Sequence, residues 1–218
     1  SPGLHGCIQA YGRGGIPSYI PVMIDCKLNF LIGGAEYGVI SDSTRVIRLE
    51  GNLTRLLPHP GQPIDVIGRL IPHFNGEQWD VSEEVFESIE TRSYPDDEYD
   101  PDKYVEQPDK AAFLALYKGK CVGYIRVATR WNGDGFIEDV TVDRAFRGCG
   151  IGRRLMDAAV RWSKETGLSG ISLETQDWNL LACRFYLRYG FELGGVDTRV
   201  YTGPYAGEKA LYFYLKTK

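Results

Sequence analysis

The spacing of apolar positions divides the chain into predicted elements. The run Asp65-Val-Ile-Gly-Arg-Leu-Ile71 alternates imperfectly and predicts a first strand, ending at Pro72. Val81, Val85, Phe86 and Ile89 recur at helical spacing, predicting a helix over 79–89 with Ser82 as its cap. Ala111–Tyr117 and Cys121–Ala128, joined by Lys118-Gly119-Lys120, predict a hairpin. The turn Trp131-Asn-Gly-Asp-Gly135 leads into a further strand, Phe136–Val142. Ile151, Leu155, Ala158, Ala159 and Trp162 then line one face of a helix from Gly150 to Thr166, and Gly167 supplies its stop. Gly170–Glu174 predicts a buried strand, Leu180–Arg188 a helix ending at Gly190, and Phe191–Asp197 and Lys209–Leu215 two closing strands. The order is strand, helix, three strands, helix, strand, helix, two strands, which predicts a mixed α/β layer fold.

Residues 1–48 carry weaker signals, with glycine-rich pieces and prolines alternating with short apolar runs such as Ile20–Ile24 and Leu28–Ile32. They predict short strands or loose wrapping segments and offer no catalytic group. Leu-Leu-Pro-His-Pro-Gly-Gln over 56–62 suits neither a helix nor a central strand and reads as a linker. The expected organisation is an N-terminal extension over 1–54 and one main domain over 55–218. A formal charge of −4 gives a nucleic-acid partner no electrostatic support. The five cysteines are scattered with no Cys-x-x-Cys, which predicts neither a disulfide framework nor a metal site and fits a reducing cytoplasm. Tyr19–Ala35 is interrupted by Asp25 and Lys27, so neither a membrane span nor a signal peptide is expected. A homodimer is compatible with the chain.

The candidate chemistry centres on Val140-Thr-Val-Asp-Arg-Ala-Phe-Arg147-Gly148-Cys149-Gly150-Ile151-Gly152-Arg153-Arg154. This is a strand, a glycine-rich turn and a helix start. Glycines at alternate positions leave backbone N–H groups uncovered where the helix dipole is positive, which suits a phosphate or pyrophosphate. Arg147, Arg153 and Arg154 add positive charge there. A Walker A loop is excluded because no Lys-Ser/Thr follows the last glycine, and the Gly-x-Gly-x-x-Gly dinucleotide spacing is absent. Arg147-x-x-Gly150-x-Gly152 instead resembles the signature with which GNAT acetyltransferases hold the pyrophosphate of acetyl-coenzyme A. Asn179-Leu-Leu-Ala182-Cys-Arg-Phe185-Tyr186-x-x-x-Gly190-Phe191 resembles that family's second segment. Asp65–Pro72, Trp131-Asn132, Leu173–Asp177, Ala182-Cys183, Gly194–Thr198 and Tyr201 resemble the streptothricin (nourseothricin) acetyltransferase subgroup. The likeness runs from about residue 62 to the C-terminus and does not cover residues 1–48.

The resemblance implies a GNAT fold, a mixed and mostly antiparallel sheet flanked by helices, with acetyl-coenzyme A as cosubstrate and no metal. It implies acetylation of the β-lysine amine of a streptothricin-type antibiotic. It also implies cofactor contacts along Val140, Thr141, Val142, Arg147, Gly148, Cys149, Gly150, Ile151, Gly152 and Arg153, with Asn179 as a polar contact or a helix cap. An exposed backbone N–H near Val140 or Thr141 would meet the oxyanion, and Tyr186 would protonate the departing thiolate. The acceptor has to lose a proton, because a lysine-like ammonium with a pKa of ~10.4 is scarcely neutral at pH 7. Glu138 and Asp139 are the candidate bases, and strand alternation points them to opposite faces. Tyr94, Asp96, Asp97, Glu98, Trp131, Glu138 and Glu174 are the candidate substrate contacts. The acidic run from Asp96 to Asp109 is expected either as a solvated loop or as a lip that gathers a cationic amine. A polyamine or other small cationic amine is the alternative acceptor, and a non-catalytic acyl-coenzyme-A-binding module the alternative class.

Overall fold

The computed structural model describes residues 43–57, 63–93 and 99–217. Seven strands form the main sheet: β1 (Thr44–Arg48), β4 (Lys110–Tyr117), β5 (Lys120–Thr129), β6 (Gly135–Val142), β7 (Gly170–Gln176), β8 (Glu192–Asp197) and β9 (Ala210–Lys216). Their order is β1-β4-β5-β6-β7-β9-β8, antiparallel throughout except for β6 against β7. The expected mixed, mostly antiparallel sheet is therefore present. β2 (Ile64–Phe74) and β3 (Trp79–Arg92) form a separate two-stranded sheet.

The helices are α1 (Lys103–Glu106), α2 (Ile151–Glu165) and α3 (Leu180–Tyr189). α2 buries the predicted stripe of Ile151, Leu155, Ala158, Ala159 and Trp162, together with Met156, and contacts β4, β5, β6 and β7. The core between α2 and the sheet includes Ile125, Val127, Ile137, Ile171, Leu173 and Phe213. A smaller cluster contains Leu49, Tyr104, Ala112, Leu114 and Tyr124. The two clusters divide alternate residues of β5 between them, so the sheet is covered on both faces.

Three expectations change. The helix predicted over 79–89 is the strand β3, paired with β2 from Phe74↔Trp79 to Ile64↔Arg92. The turn explains it: Gly76 has φ 105°, and Asn75 Oδ1 accepts from the amides of Glu77 and Gln78, both at 3.0 Å. Val81, Val85 and Ile89, whose spacing mimicked a buried helical stripe, are all exposed. Second, β2 does not end at Pro72 but continues through it to Phe74, with Pro72 opposite Val81.

Third, β1 lies within the stretch read as an extension. It pairs with the edge of β4 from Thr44↔Tyr117 to Arg48↔Phe113, and Leu49 after it is buried. Leu56 and Leu57, at the start of the predicted linker, pack against that cluster. The rest of the linker and residues 1–42 lie outside the described residues, as does the acidic stretch 94–98. The β2–β3 sheet is joined to the domain where Gly68 bridges to Asn179 and the Leu70 amide donates to Asp177 O at 2.8 Å. An added Cβ at Gly68 would lie 2.2 Å from Glu84 O on β3 and 2.8 Å from Leu180 Cδ2 on α3, so glycine permits the close approach on both sides.

Candidate active site

The site begins where the sheet opens. β6 pairs with β7 only over Gly135–Ile137 against Ile171–Leu173, yet it stays paired with β5 as far as Val142. From Glu138 onward, β6 has no strand partner on its β7 side among the described residues. Backbone donors facing this gap are available to a ligand. Val140 and Thr141, expected to supply the oxyanion donor, lie in this segment.

A bulge sits at the mouth of the gap. Val127 pairs with Ile137 and Arg126 with Asp139, leaving Glu138 as the extra residue. Ile137, Val140 and Val142 consequently share the α2-side core despite their uneven spacing. The bulge also overturns the alternation expected of Glu138 and Asp139, whose carboxylates enter one polar cluster on the opposite face. Glu138 accepts from Tyr104 Oη and from Lys110 Nζ at 3.1 Å. Asp139 accepts from Tyr124 Oη, from Arg126 at 3.5 Å and from Thr141 Oγ1 at 3.3 Å. Arg126 also donates to Tyr104 Oη at 3.1 Å, which joins the two halves. Each proposed base is thus already in an ion pair with a cation of the protein.

A cleft of about 420 Å³ lies beside this cluster, lined by Tyr99, Asp100, Lys103, Tyr104, Lys110, Arg126 and Glu138. Sequence reasoning had not singled out Tyr104, Lys110 or Arg126. Arg126 had one usable signal, a charge set between the apolar strand residues Ile125 and Val127 and therefore in need of a buried partner. Tyr94, Asp96, Asp97 and Glu98 lie outside the described residues. Trp131, expected to wall the pocket, is 97% exposed in the β5–β6 turn and lines no part of this cleft. That turn is held by Asn132 and Asp134 and needs nothing from the indole.

Across the gap on β7, Glu174 directly follows the last residue paired with β6. Its carboxylate accepts from Tyr201 Oη, and Tyr201 Oη accepts from Gln176 Nε2 at 3.1 Å. Burial pushes the Glu174 carboxyl above the usual range, opposed by the Tyr201 hydrogen bond and by the charge of Arg130. Tyr201 came from the sequence only as a subgroup residue, without a role.

Tyr186 approaches from the helical side. It is buried on α3 with ring centroids 5.4 Å from Phe185, 5.9 Å from Phe191 and 5.8 Å from Phe213. Burial raises its phenol well above the ordinary tyrosine value, and Cys183, Asp139 and Glu174 add to the effect. The hydroxyl is thus within electrostatic reach of carboxylates on both strands that border the gap. It has no hydrogen-bond partner among the described residues. At neutral pH it is a protonated, unused donor.

The glycine turn has the form expected of an anion site. Gly148 (φ 76°) and Gly150 (φ 77°) are left-handed and exposed, and Gly150 is the N-cap of α2. The first helical bond runs from Arg154 N to Gly150 O at 3.2 Å, leaving the amides of Ile151, Gly152 and Arg153 without helical partners. No acidic residue lies in the first turn. The side chains of Cys149 and Ile151 are buried, so these residues present only their backbone. Gly152 keeps the helix close to α3, where an added Cβ would lie 3.6 Å from Phe185.

Arg147 serves the loop itself: Nε donates to Val142 O and a terminal nitrogen to Pro63 O, both at 3.0 Å. The exposed Arg153 lies 5.4 Å from the Tyr189 ring. Asn179 Oδ1 caps α3 through the Ala182 amide at 3.4 Å, which is the helix-cap alternative of the sequence reading. No group of His, Cys, Asp or Glu side chains among the described residues is arranged to hold a metal.

The chain as a whole resembles known proteins. Residues 78–191 match the model of the acetyltransferase (GNAT) family. Streptothricin acetyltransferase A of Bacillus subtilis (strain 168) is 41% identical over 158 residues, 72% of this chain and 91% of that protein. A protein assigned as a streptothricin acetyltransferase from Bacillus anthracis str. Ames was solved in complex with acetyl coenzyme A. It superposes with a TM-score of 0.74 at 32% identity, over 80% of this chain and 99% of that one. A nourseothricin acetyltransferase structure gives a TM-score of 0.68 at 26% identity, over 81% and 99% of the respective chains. On these matches the chain belongs to the GNAT acetyltransferase family.

Proposed function

We propose that the protein transfers the acetyl group of acetyl-coenzyme A to the β-lysine amine of a streptothricin-type antibiotic and so confers resistance to it. The observation that carries this reading is the gap between β6 and β7, flanked by the α2 amides and by Tyr186, with Glu138 and Glu174 on its borders. The diphosphate of the cofactor lies against the amides of residues 148–153, where helix dipole and uncovered donors act together. The pantetheine arm runs along Val140–Val142, and the thioester reaches the opening near Glu138. An N–H of β6 meets the carbonyl oxygen, a contact typically worth ~10²–10³ in rate when it is fixed in advance. Attack by the neutral amine forms the C–N bond and breaks the C–S bond, the nitrogen releases one proton to water, and Tyr186 protonates the sulfur. Glu138, with Tyr104 and Lys110, forms the floor on which the polar groups of the acceptor rest.

The relatives named for streptothricin and nourseothricin support the choice of acceptor. Thiol release from acetyl-coenzyme A, followed with streptothricin, with spermidine and with no amine, tests it. Rapid release with streptothricin alone, and a fragment spectrum placing the acetyl group on the β-lysine moiety, is the expected result. Equal rates with spermidine would instead make the enzyme a general polyamine acetyltransferase. No release with any amine would make it an acyl-coenzyme-A binder.

A further inference from the structure

We propose that Glu174 is the proton acceptor for the substrate amine, oriented by Tyr201, in place of Glu138 or Asp139. The inference rests on the acetyltransferase reading above and assigns the role which that reading leaves open.

The three carboxylates at the gap differ in their partners. Glu138 is paired with Lys110 at 3.1 Å and Asp139 with Arg126 at 3.5 Å. Either carboxylate would have to accept a proton while a protein cation stands beside it, which opposes protonation. Glu174 has no ion pair among the described residues. Its one direct hydrogen bond among the described residues comes from the phenol of Tyr201, which Gln176 holds in turn. Burial of this carboxylate favours the protonated form, as a base that must hold a proton briefly requires.

Position agrees with charge. Glu174 is the first residue of β7 beyond the strand pairing, next to the place where β6 turns away. The titratable and charged groups facing it are Tyr201 from the β8–β9 connection, Arg130 from the β5–β6 turn, Tyr212 opposite it on β9, and Tyr186 from α3. Among the described residues only Arg130 is a cation there, and it acts through space. The two proton-transfer groups then lie on two elements bordering one gap, Tyr186 on α3 and Glu174 on β7. The ammonium gives a proton to the Glu174 carboxylate, and the neutral nitrogen attacks the thioester carbon. The C–S bond breaks, the thiolate takes the Tyr186 proton, and the acylated nitrogen gives up its second proton to water to leave the neutral amide. Solvent then removes the proton from Glu174 and restores that of Tyr186.

The test is the pH dependence of kcat/KM for the wild type, Glu174→Gln and Tyr201→Phe, with streptothricin as the amine. The wild type should lose activity as pH falls through the raised Glu174 pKa. Glu174→Gln should lower kcat by about 10²-fold or more near neutrality, with KM for the antibiotic changed far less, and should abolish that acid limb. Tyr201→Phe removes a bond that favours the charged carboxylate, so it should move the limb to higher pH. A merely structural tyrosine would lower the rate and leave the limb in place. Carbon NMR of carboxyl-labelled glutamates, with the Glu174 signal assigned by its loss in Glu174→Gln, reads the same titration without substrate. A Glu174 signal titrating in the ordinary glutamate range, or a Glu174→Gln enzyme within about twofold of wild type with an intact acid limb, overturns the assignment. A wild type inactive on streptothricin overturns the substrate reading instead, and the NMR titration still decides the state of Glu174.

Discussion

Burial among Phe185, Phe191 and Phe213 gives Tyr186 a proton that it keeps at neutral pH and no protein partner for it among the described residues. An aromatic residue serving only the core would not need the hydroxyl. Replacement by phenylalanine keeps the packing and removes only the donor. Because a thiolate with a pKa near ~8.5 leaves fairly well unaided, Tyr186→Phe should lower kcat about 10- to 100-fold. Binding of acetyl-coenzyme A, measured by calorimetry, should hardly change. Unchanged turnover, with the chemical step shown to be rate-limiting, would remove Tyr186 as the acid. At this scale the sequence was informative where a residue type stands at a recognisable position, as with the buried Tyr186 and the left-handed glycines. It was uninformative about Lys110, Arg126 and Tyr201, whose parts depend on pairings across strands distant in sequence.

At the scale of the element, the turn from β6 into α2 shows how backbone geometry alone leaves donors uncovered at a helix start. Gly150 is both the N-cap of α2 and left-handed, at φ 77°, and a Cβ there would meet no neighbour within 4 Å. The obstacle to Gly150→Ala is therefore conformational and costs about 1–2 kcal/mol. The outcome should be a lower melting temperature and a weaker Kd for acetyl-coenzyme A, with kcat at saturating cofactor much less affected. Calorimetry showing native cofactor affinity in this variant would contradict a binding role for the turn. The helices α2 and α3 and most strands were legible because their periods are long and their stops are glycines. β3 was misread because Val81, Val85 and Ile89 coincide with helical spacing while facing solvent. The stronger evidence lay in the Asn75-Gly76 pair just before it, which makes a hairpin turn.

For the whole molecule, the main sheet among the described residues runs from β1, starting at Thr44, to β8 at the other edge. The first edge was illegible because Thr44–Arg48 is short and has no pattern that distinguishes it from the runs before it. Its meaning comes from β4, with which it shares a register of five residue pairs. A chain lacking residues 1–49 should expose the flank of β4 and lose the burial of Leu49, worth roughly 1.5–3 kcal/mol for the side chain alone. Lower thermal stability and concentration-dependent association in size-exclusion chromatography are the expected results. A truncated chain as stable and monodisperse as its parent would show that β1 is dispensable.

The extra residue at Glu138 acts as a change of parity within one strand. Before it, odd-numbered Ile137 faces the helices; after it, even-numbered Val140 and Val142 do. Deleting Glu138 itself would restore regular alternation with Val140 and Val142 still facing the helices, whereas deleting a later residue such as Val140 would carry Thr141 toward hydrocarbon and Val142 toward the acceptor side. Point substitutions can adjust the reaction centre one contact at a time, but no substitution can compensate for a lost count. Insertions and deletions in β6 other than loss of Glu138 should therefore be far less tolerated than changes of residue type, and a deep mutational scan of Gly135–Val142 would display the difference as an intolerance of length more than of chemistry.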